Sequence, residues 1–285
     1  MVFYTTDYSF LVGSMPFPVR SAVDIRQTAD GTIWAGHNNG LTAFSACGEK
    51  LCSFSEPDIP GGRINSLLPD GEGLWVGTQE GAAYLEPKEN QWQATEVLNS
   101  SNGLASDWVN VFAKNKNELW FGSYLSNQKG GLSIRSVEGN WQYLSVDEGL
   151  PHRYINAILM LSPKEVLVGV GHLDRGGLAL LCKADNDWHI TQTWSPTDGI
   201  PGYKVRWLFL DSVGRVWITT EEHGILLCPS VSALNESPIE GQIITKKHGL
   251  SDNEVKTIIE TDSCFWLGGC YGLTRIEKAI MGGWK

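Results

Sequence analysis

The chain has 285 residues, of which 42 % are hydrophobic and 19 % charged, so it is long enough to bury a large core. Thirty-two glycines and twelve tryptophans suit a β-rich protein with many tight turns and large packing side chains. A net charge of −10, with Lys246-Lys247 as the single adjacent basic pair, argues against a nucleic-acid binder, because neutralising phosphates needs clustered Lys and Arg.

Taken from the start, Met1 to Asp7 shows no basic segment leading into an apolar run, so it does not read as a signal peptide. No stretch reaches the roughly 18 to 20 apolar residues that span a bilayer. As presented, the chain reads as cytoplasmic, or as the mature or excised part of something longer. Phe3-Tyr4-Thr5-Thr6-Asp7-Tyr8 is a strand-like opening run.

Six phrases of one kind follow. They are Asp30-Gly31-Thr32-Ile33-Trp34-Ala35-Gly36, then Asp70 to Gly77 with Trp75, then Asn117 to Gly122 with Trp120. Next come Lys164 to Gly169, where Leu167 takes the tryptophan position, Asp211 to Thr219 with Trp217, and Asp262 to Gly268 with Trp266. The steps between tryptophan positions are 41, 45, 47, 50 and 49 residues. A period in the forties built from strand-like units is the mark of a propeller or a related repeat array.

The second unit serves as a template. Ile64 to Leu68 reads as a strand turned by Pro69-Asp70-Gly71, and Leu74 to Thr78 as a second strand. Ala82 to Leu85 makes a third, and Trp92 to Val97 a fourth. Four short strands joined by Gly, Asp and Asn turns form an antiparallel blade. The repeat tryptophan is expected to wedge between blades, burying on the order of 200 Å², with the glycine two residues later permitting close backbone approach. An all-β, six-bladed propeller of four-stranded antiparallel blades is thus expected, as one domain over 1–285. Residues 3–8 would close it by pairing with the last blade, about 255–276.

The six cysteines show no CxxC spacing, so zinc and thioredoxin-like sites have no support. Cys47 and Cys52 bracket a hairpin turn that would allow a disulfide. Cys264 and Cys270 lie too far apart along one strand to pair, and Cys182 and Cys228 read as buried apolar fillers.

Gly149-Leu150-Pro151, Gly199-Ile200-Pro201 and Gly249-Leu250-Ser251, with Leu74-Trp75-Val76-Gly77-Thr78 and the Gly40-Leu41, Gly131-Leu132 and Gly272-Leu273 pairs, resemble the two-component regulator propeller repeat. The resemblance covers essentially the whole chain. It implies a ligand-sensing propeller of the kind found in the periplasmic parts of hybrid histidine kinases, although the chain has no kinase region, no membrane span and a single array.

In such a propeller two loop sets share one face, and a central funnel there is a common place for ligands. The loops between second and third strands supply His37, Asn38, Asn39, Gln79, Glu80, Tyr124, Asn127, His172, Asp174, Arg175, Glu221, Glu222, His223 and Tyr271. The connections between blades supply Arg20, Arg63, Asp107, Trp108, Arg153, Tyr154, Tyr203, Lys204, Asn253 and Glu254. Aromatics, arginines and amides suit a polar ligand, a glycan fragment or a peptide segment, or a protein partner. The alternative reading of each residue is an ordinary solvated loop side chain.

His37, His172 and His223 recur at one loop position. With Glu222 or Asp174 they could hold a divalent metal that polarises a carbonyl for hydrolysis or elimination, as in propeller lyases and lactonases. The leading expectation is a non-enzymatic binding module without a cofactor. A metal-assisted lyase or hydrolase in the same funnel, and a structural or assembly propeller, are the alternatives.

Overall fold

A computed structural model describes residues 22–89, 91–125 and 129–283. They form six antiparallel sheets, each a meander in chain order. Blade 1 holds β1 (Ala22–Gln27), β2 (Ile33–His37), β3 (Gly40–Phe44) and β4 (Lys50–Phe54). Blade 2 holds β5 (Ile64–Asp70), β6 (Gly73–Thr78), β7 (Ala82–Lys88) and β8 (Gln91–Leu98). Blade 3 holds β9 (Val109–Lys114), β10 (Glu118–Ser123), β11 (Leu132–Ser136) and β12 (Trp141–Leu144). Blade 4 holds β13 (Ile155–Ser162), β14 (Glu165–His172), β15 (Arg175–Ala184) and β16 (Asp187–Trp194). Blade 5 holds β17 (Val205–Leu210), β18 (Val216–Thr220), β19 (Gly224–Cys228) and β20 (Gln242–Ile244). Blade 6 shows β21 (Val255–Glu260), β22 (Cys264–Gly269) and β23 (Gly272–Glu277). There is no α-helix among the described residues, only short 3₁₀ turns. The expected closing strand at residues 3–8 lies outside the described residues.

The chain divides into two compact units. One contains blades 1 to 3 with Arg153–Ile155, and the other contains Glu148–His152 and everything from Asn156 on. Within the first unit neighbouring blades place their first strands side by side, β1 by β5 by β9; in the other, β17 lies against β14, the second strand of blade 4, and beside β21.

The repeat phrase works locally in a way its letters did not reveal. Asp211, only 4 % exposed, accepts from the backbone N–H groups of Val213 and Arg215, from Arg215 Nε at 2.6 Å and from Trp217 Nε1 at 3.0 Å. Asp70 accepts from Trp75 Nε1 at 3.3 Å. In blade 1 Asp30 accepts from Thr28, whose hydroxyl in turn accepts from Trp34 Nε1 at 3.1 Å. The aspartate therefore closes the turn and, directly in blades 2 and 5 or through Thr28 in blade 1, provides for the indole N–H.

The indoles then pack across blades. Trp34 meets Trp92 edge-on at 4.7 Å, Trp75 meets Phe121 at 5.6 Å, and Trp217 lies 4.8 Å from Phe265. Trp34, Trp120 and Trp217 are fully buried, as is Leu167. Trp266 departs from the expected wedge: it is only half-buried, with the Arg275 guanidinium 5.8 Å from its ring centre.

The glycine after each tryptophan makes room for the next blade. A Cβ on Gly77 would lie 2.9 Å from Phe112 and 3.0 Å from Val109. In blade 5 Thr219 occupies that position and donates instead to the Val255 carbonyl of blade 6 at 2.7 Å. Gly81, at φ +140°, opens β7 where a Cβ would collide with the Leu98 carbonyl, a conformation only glycine takes without strain.

The Gly-Leu-Pro-like phrases end the connections between blades. Ser195 caps a 3₁₀ turn over Pro196–Asp198, Gly199 closes it in the left-handed region at φ +116°, and Ile200 is buried behind it. Gly149-Leu150 and Gly249-Leu250 repeat the arrangement.

One strand expectation and the cysteine readings are refined. β5 runs through Pro69 and Asp70, which pair with Leu74 and Gly73. Proline is tolerated there because β5 is the edge strand of its sheet. Cys47 and Cys52 are free thiols, and Cys182 is half-buried while Cys228 is fully buried. Burial, with a smaller contribution from Glu240, pushes the Cys228 thiol up to about 12.

Candidate functional site

The first strands of blades 1, 2, 3, 5 and 6 begin with an irregularity in register. The register slips after the first residue in blades 1, 2, 5 and 6, and blade 3 shows the same break beside Val109. Such a bulge re-aims the extra residue. In blades 2 and 3 that residue is Asn65 or Asn110, and its amide donates to the first carbonyl of the next β-run, Val109 at 3.0 Å and Ile155 at 2.8 Å. In blades 5 and 6 it is Arg206 or Lys256.

The two loop sets do share an end. Tyr124 N–H donates to the Trp108 carbonyl, Gly131 N–H to the Arg153 carbonyl and Glu221 N–H to the Lys204 carbonyl. In the first unit this brings aromatics together. Trp108 and Tyr124 meet edge-on at 6.3 Å, Tyr124 and Tyr154 lie 5.0 Å apart, and the Arg153 guanidinium sits 5.4 Å from the Tyr154 ring centre. All four side chains are half-buried. The Trp108 indole nitrogen is buried and makes no hydrogen bond.

Elsewhere in that unit the candidates are dispersed. His37 accepts from Asn39 N–H through Nδ1 and lies 3.2 Å from Thr42 Oγ1 through Nε2, so both ring nitrogens serve its own hairpin. Burial first, then the Lys50 charge, holds its pKa below the usual histidine value. Asn38 and Arg63 are exposed, and Arg20 and Asn127 lie outside the described residues. Asp107 accepts from Ser100 N–H at 2.7 Å and so ties its own connection.

In the second unit the same end carries a charged network. Lys204, 8 % exposed, donates to Glu221 at 2.8 Å. Arg206 pairs with Glu254 at 2.7 Å, Lys256 reaches Glu254 at 3.7 Å, and the Cys270 thiol donates to Glu254 at 3.3 Å. Lys204, expected as a ligand contact, is thus committed to an internal pair. Asn253 accepts from Lys246 N–H and ties its own connection.

His223 donates from Nδ1 to the Glu221 carbonyl at 2.7 Å. Glu222 is exposed in a left-handed turn at φ +65°, His172 is half-buried opposite the exposed Arg175, and Tyr203 and Tyr271 are exposed. Among the described residues no three His, Cys, Asp or Glu side chains converge as a metal would need. The expected grouping of His172, His223 and Glu222 is therefore not formed.

Arg206, Lys256, Asn65 and Asn110 were missed from sequence. Their signal is the residue after a buried Ile or Val that opens a first strand, but plain alternation gives no hint of a bulge. Concave ground also lies at the opposite blade ends. A groove of about 580 Å³ is lined by Ser162, Pro163, Lys164, Glu165, Cys182 and Lys183, and one of about 330 Å³ includes Asp70, Lys114 and Arg135.

Comparison with known proteins agrees with the repeat geometry. Residues 58–80 match the family model described as two component regulator propeller. The chain carries that repeat.

No curated protein matches the sequence. Among solved structures, the extracellular domain of BT3049 from B. thetaiotaomicron, described as part of a hybrid two component system, superposes with TM-score 0.66 at 15 % identity. That match covers 99 % of this chain and 42 % of the other. PorZ, a surface component of the type-IX secretion system of Porphyromonas gingivalis, gives 0.62 at 16 % identity over 90 % of this chain and 38 % of its own. The extracellular domain of BT4673 from B. thetaiotaomicron gives 0.57 at 16 % identity, over 96 % and 39 %. The chain therefore spans about two fifths of the length of these neighbours, and at such identities the likeness is one of fold. No helix among the described residues is long and apolar enough to cross a membrane.

Proposed function

We propose that the chain is a non-enzymatic binding propeller of the sensor type, taking a polar ligand against Trp108, Tyr124, Arg153 and Tyr154. One observation carries the reading. Three half-buried rings and a guanidinium are gathered at the loop-bearing end, and the buried Trp108 N–H has no acceptor. A buried donor without a partner costs about 1–3 kcal/mol, and a ligand oxygen would satisfy it. Rings that present apolar faces beside hydrogen-bond donors suit a glycan fragment or a peptide segment, each of which offers apolar C–H surface next to oxygen acceptors. The neighbours described as parts of hybrid two component systems, whose matched parts are extracellular domains, support a sensing role.

Calorimetric titration with oligosaccharide and peptide panels tests this. Trp108→Ala and Tyr154→Ala are each expected to weaken capture by about 2 kcal/mol, roughly 30-fold, while the melting temperature holds. Equal losses of binding and stability would mark these residues as packing and refute the site.

A further inference from the structure

In a chain with 32 acidic and 22 basic side chains, arginines meet carboxylates readily. Arg26 pairs with Asp24, Arg135 with Glu96, Arg206 with Glu254, Arg215 with Asp211 and Arg275 with Glu277. The side chains of Arg63, Arg153 and Arg175 form no ion pair or hydrogen bond among the described residues. Arg63 and Arg175 are exposed, where water solvates the charge, but Arg153 is half-buried. Its guanidinium lies 5.4 Å from the Tyr154 ring centre. A ring face attracts the cation, yet it leaves the planar fork of N–H donors without an oxygen acceptor among the described residues.

The backbone around Arg153 is held from both sides. Its carbonyl accepts from Gly131 N–H at 2.9 Å, and the Ile155 carbonyl accepts from the Asn110 amide at 2.8 Å. Ile155 is fully buried. Both ties come from blade 3, which also carries the Tyr124 ring 5.0 Å from Tyr154. Asp107, the acid beside Trp108 in sequence, accepts from Ser100 N–H. The unpartnered Trp108 Nε1 is an independent sign that an oxygen acceptor belongs at this end.

We infer, on the basis of the binding site proposed above, that its ligand carries a carboxylate and that Arg153 receives it. A carboxylate presents two coplanar oxygens that match the guanidinium fork. The pair gains strength where neighbouring rings reduce the water around it. An acidic sugar and an acidic peptide segment both offer this group beside apolar C–H surface for the rings.

Calorimetric titration with two matched pairs of probes tests this. They are trigalacturonate with its neutral methyl ester, and a capped triglutamate peptide with capped triglutamine. In one pair the charged member is expected to bind the wild type about 10-fold tighter than the neutral one, and that pair names the source. Arg153→Gln should weaken the charged member about 30-fold, leave the neutral member unchanged and remove the salt dependence of binding. Arg153→Lys keeps the charge without the fork and should fall between the two, which covers a Gln variant whose melting temperature drops. Equal binding of charged and neutral members overturns the inference, as does an Arg153→Gln variant that weakens both alike. A wild type that binds neither charged probe overturns it too. Capture of a neutral panel member, lost in Trp108→Ala, would then leave the binding site itself standing.

Discussion

At the residue scale the repeat aspartate matters more than its turn. Asp211 gives up hydration to serve two backbone N–H groups, an arginine and a tryptophan. Asp211→Ala leaves these donors unpaired in a buried place, and a loss of about 3 kcal/mol in urea unfolding is expected.

Asp24 is a different case. Its carboxylate accepts from Leu67 N–H at 2.9 Å and pairs with Arg26 at 2.9 Å. Burial is the largest influence, and it raises the pKa above 3.8 despite both partners. The folded state then binds the proton more tightly than the unfolded state. The stability Asp24 contributes is full below 3.8 and is lost as pH rises through its folded value. Asp24→Asn should flatten the stability-versus-pH curve above 3.8, and an unchanged slope would show that Asp24 does not set it. Cys228, with its thiol held near 12, should resist thiol reagents in the native protein, while exposed Cys47 and Cys270 are modified at once.

At the element scale the bulge that opens five of the first strands distinguishes one blade from another. Where it aims an asparagine, as in β5 and β9, the amide clips the next β-run. In blade 5 the clip has moved to Thr219, whose hydroxyl holds Val255. Arg206 is thereby released to pair with Glu254. Asn110→Ala should cost about 1 kcal/mol, read as a lower urea midpoint. Thr219→Gly restores the repeat pattern, yet it is expected to destabilise by a similar amount because the Val255 carbonyl loses its donor. A pattern-based view expects no loss there, so the pair of measurements separates the two accounts.

At the scale of the whole molecule, the candidate site lies at the loop-bearing ends of the blades. Because no metal-like cluster forms among the described residues, chelator treatment should leave the melting temperature unchanged. A drop on adding chelator would point to a bound ion and revive the hydrolytic alternative.

Sequence by itself determined the number of blades, the four-strand meander and the share of the site that lies in the loops. A period, an alternation and a turn signal are local, and the chain must obey them wherever it folds. For the same reason Trp108, Tyr124, Arg153 and Tyr154 could be named as candidates from the loops they occupy. Tertiary structure alone decided that these four meet, that Lys204 pairs with Glu221, and that Trp266 is only half-buried. Each of those outcomes depends on which backbone passes beside a side chain from 16 or more positions away, or on what covers a sheet face. Neither is written in the letters surrounding the residue.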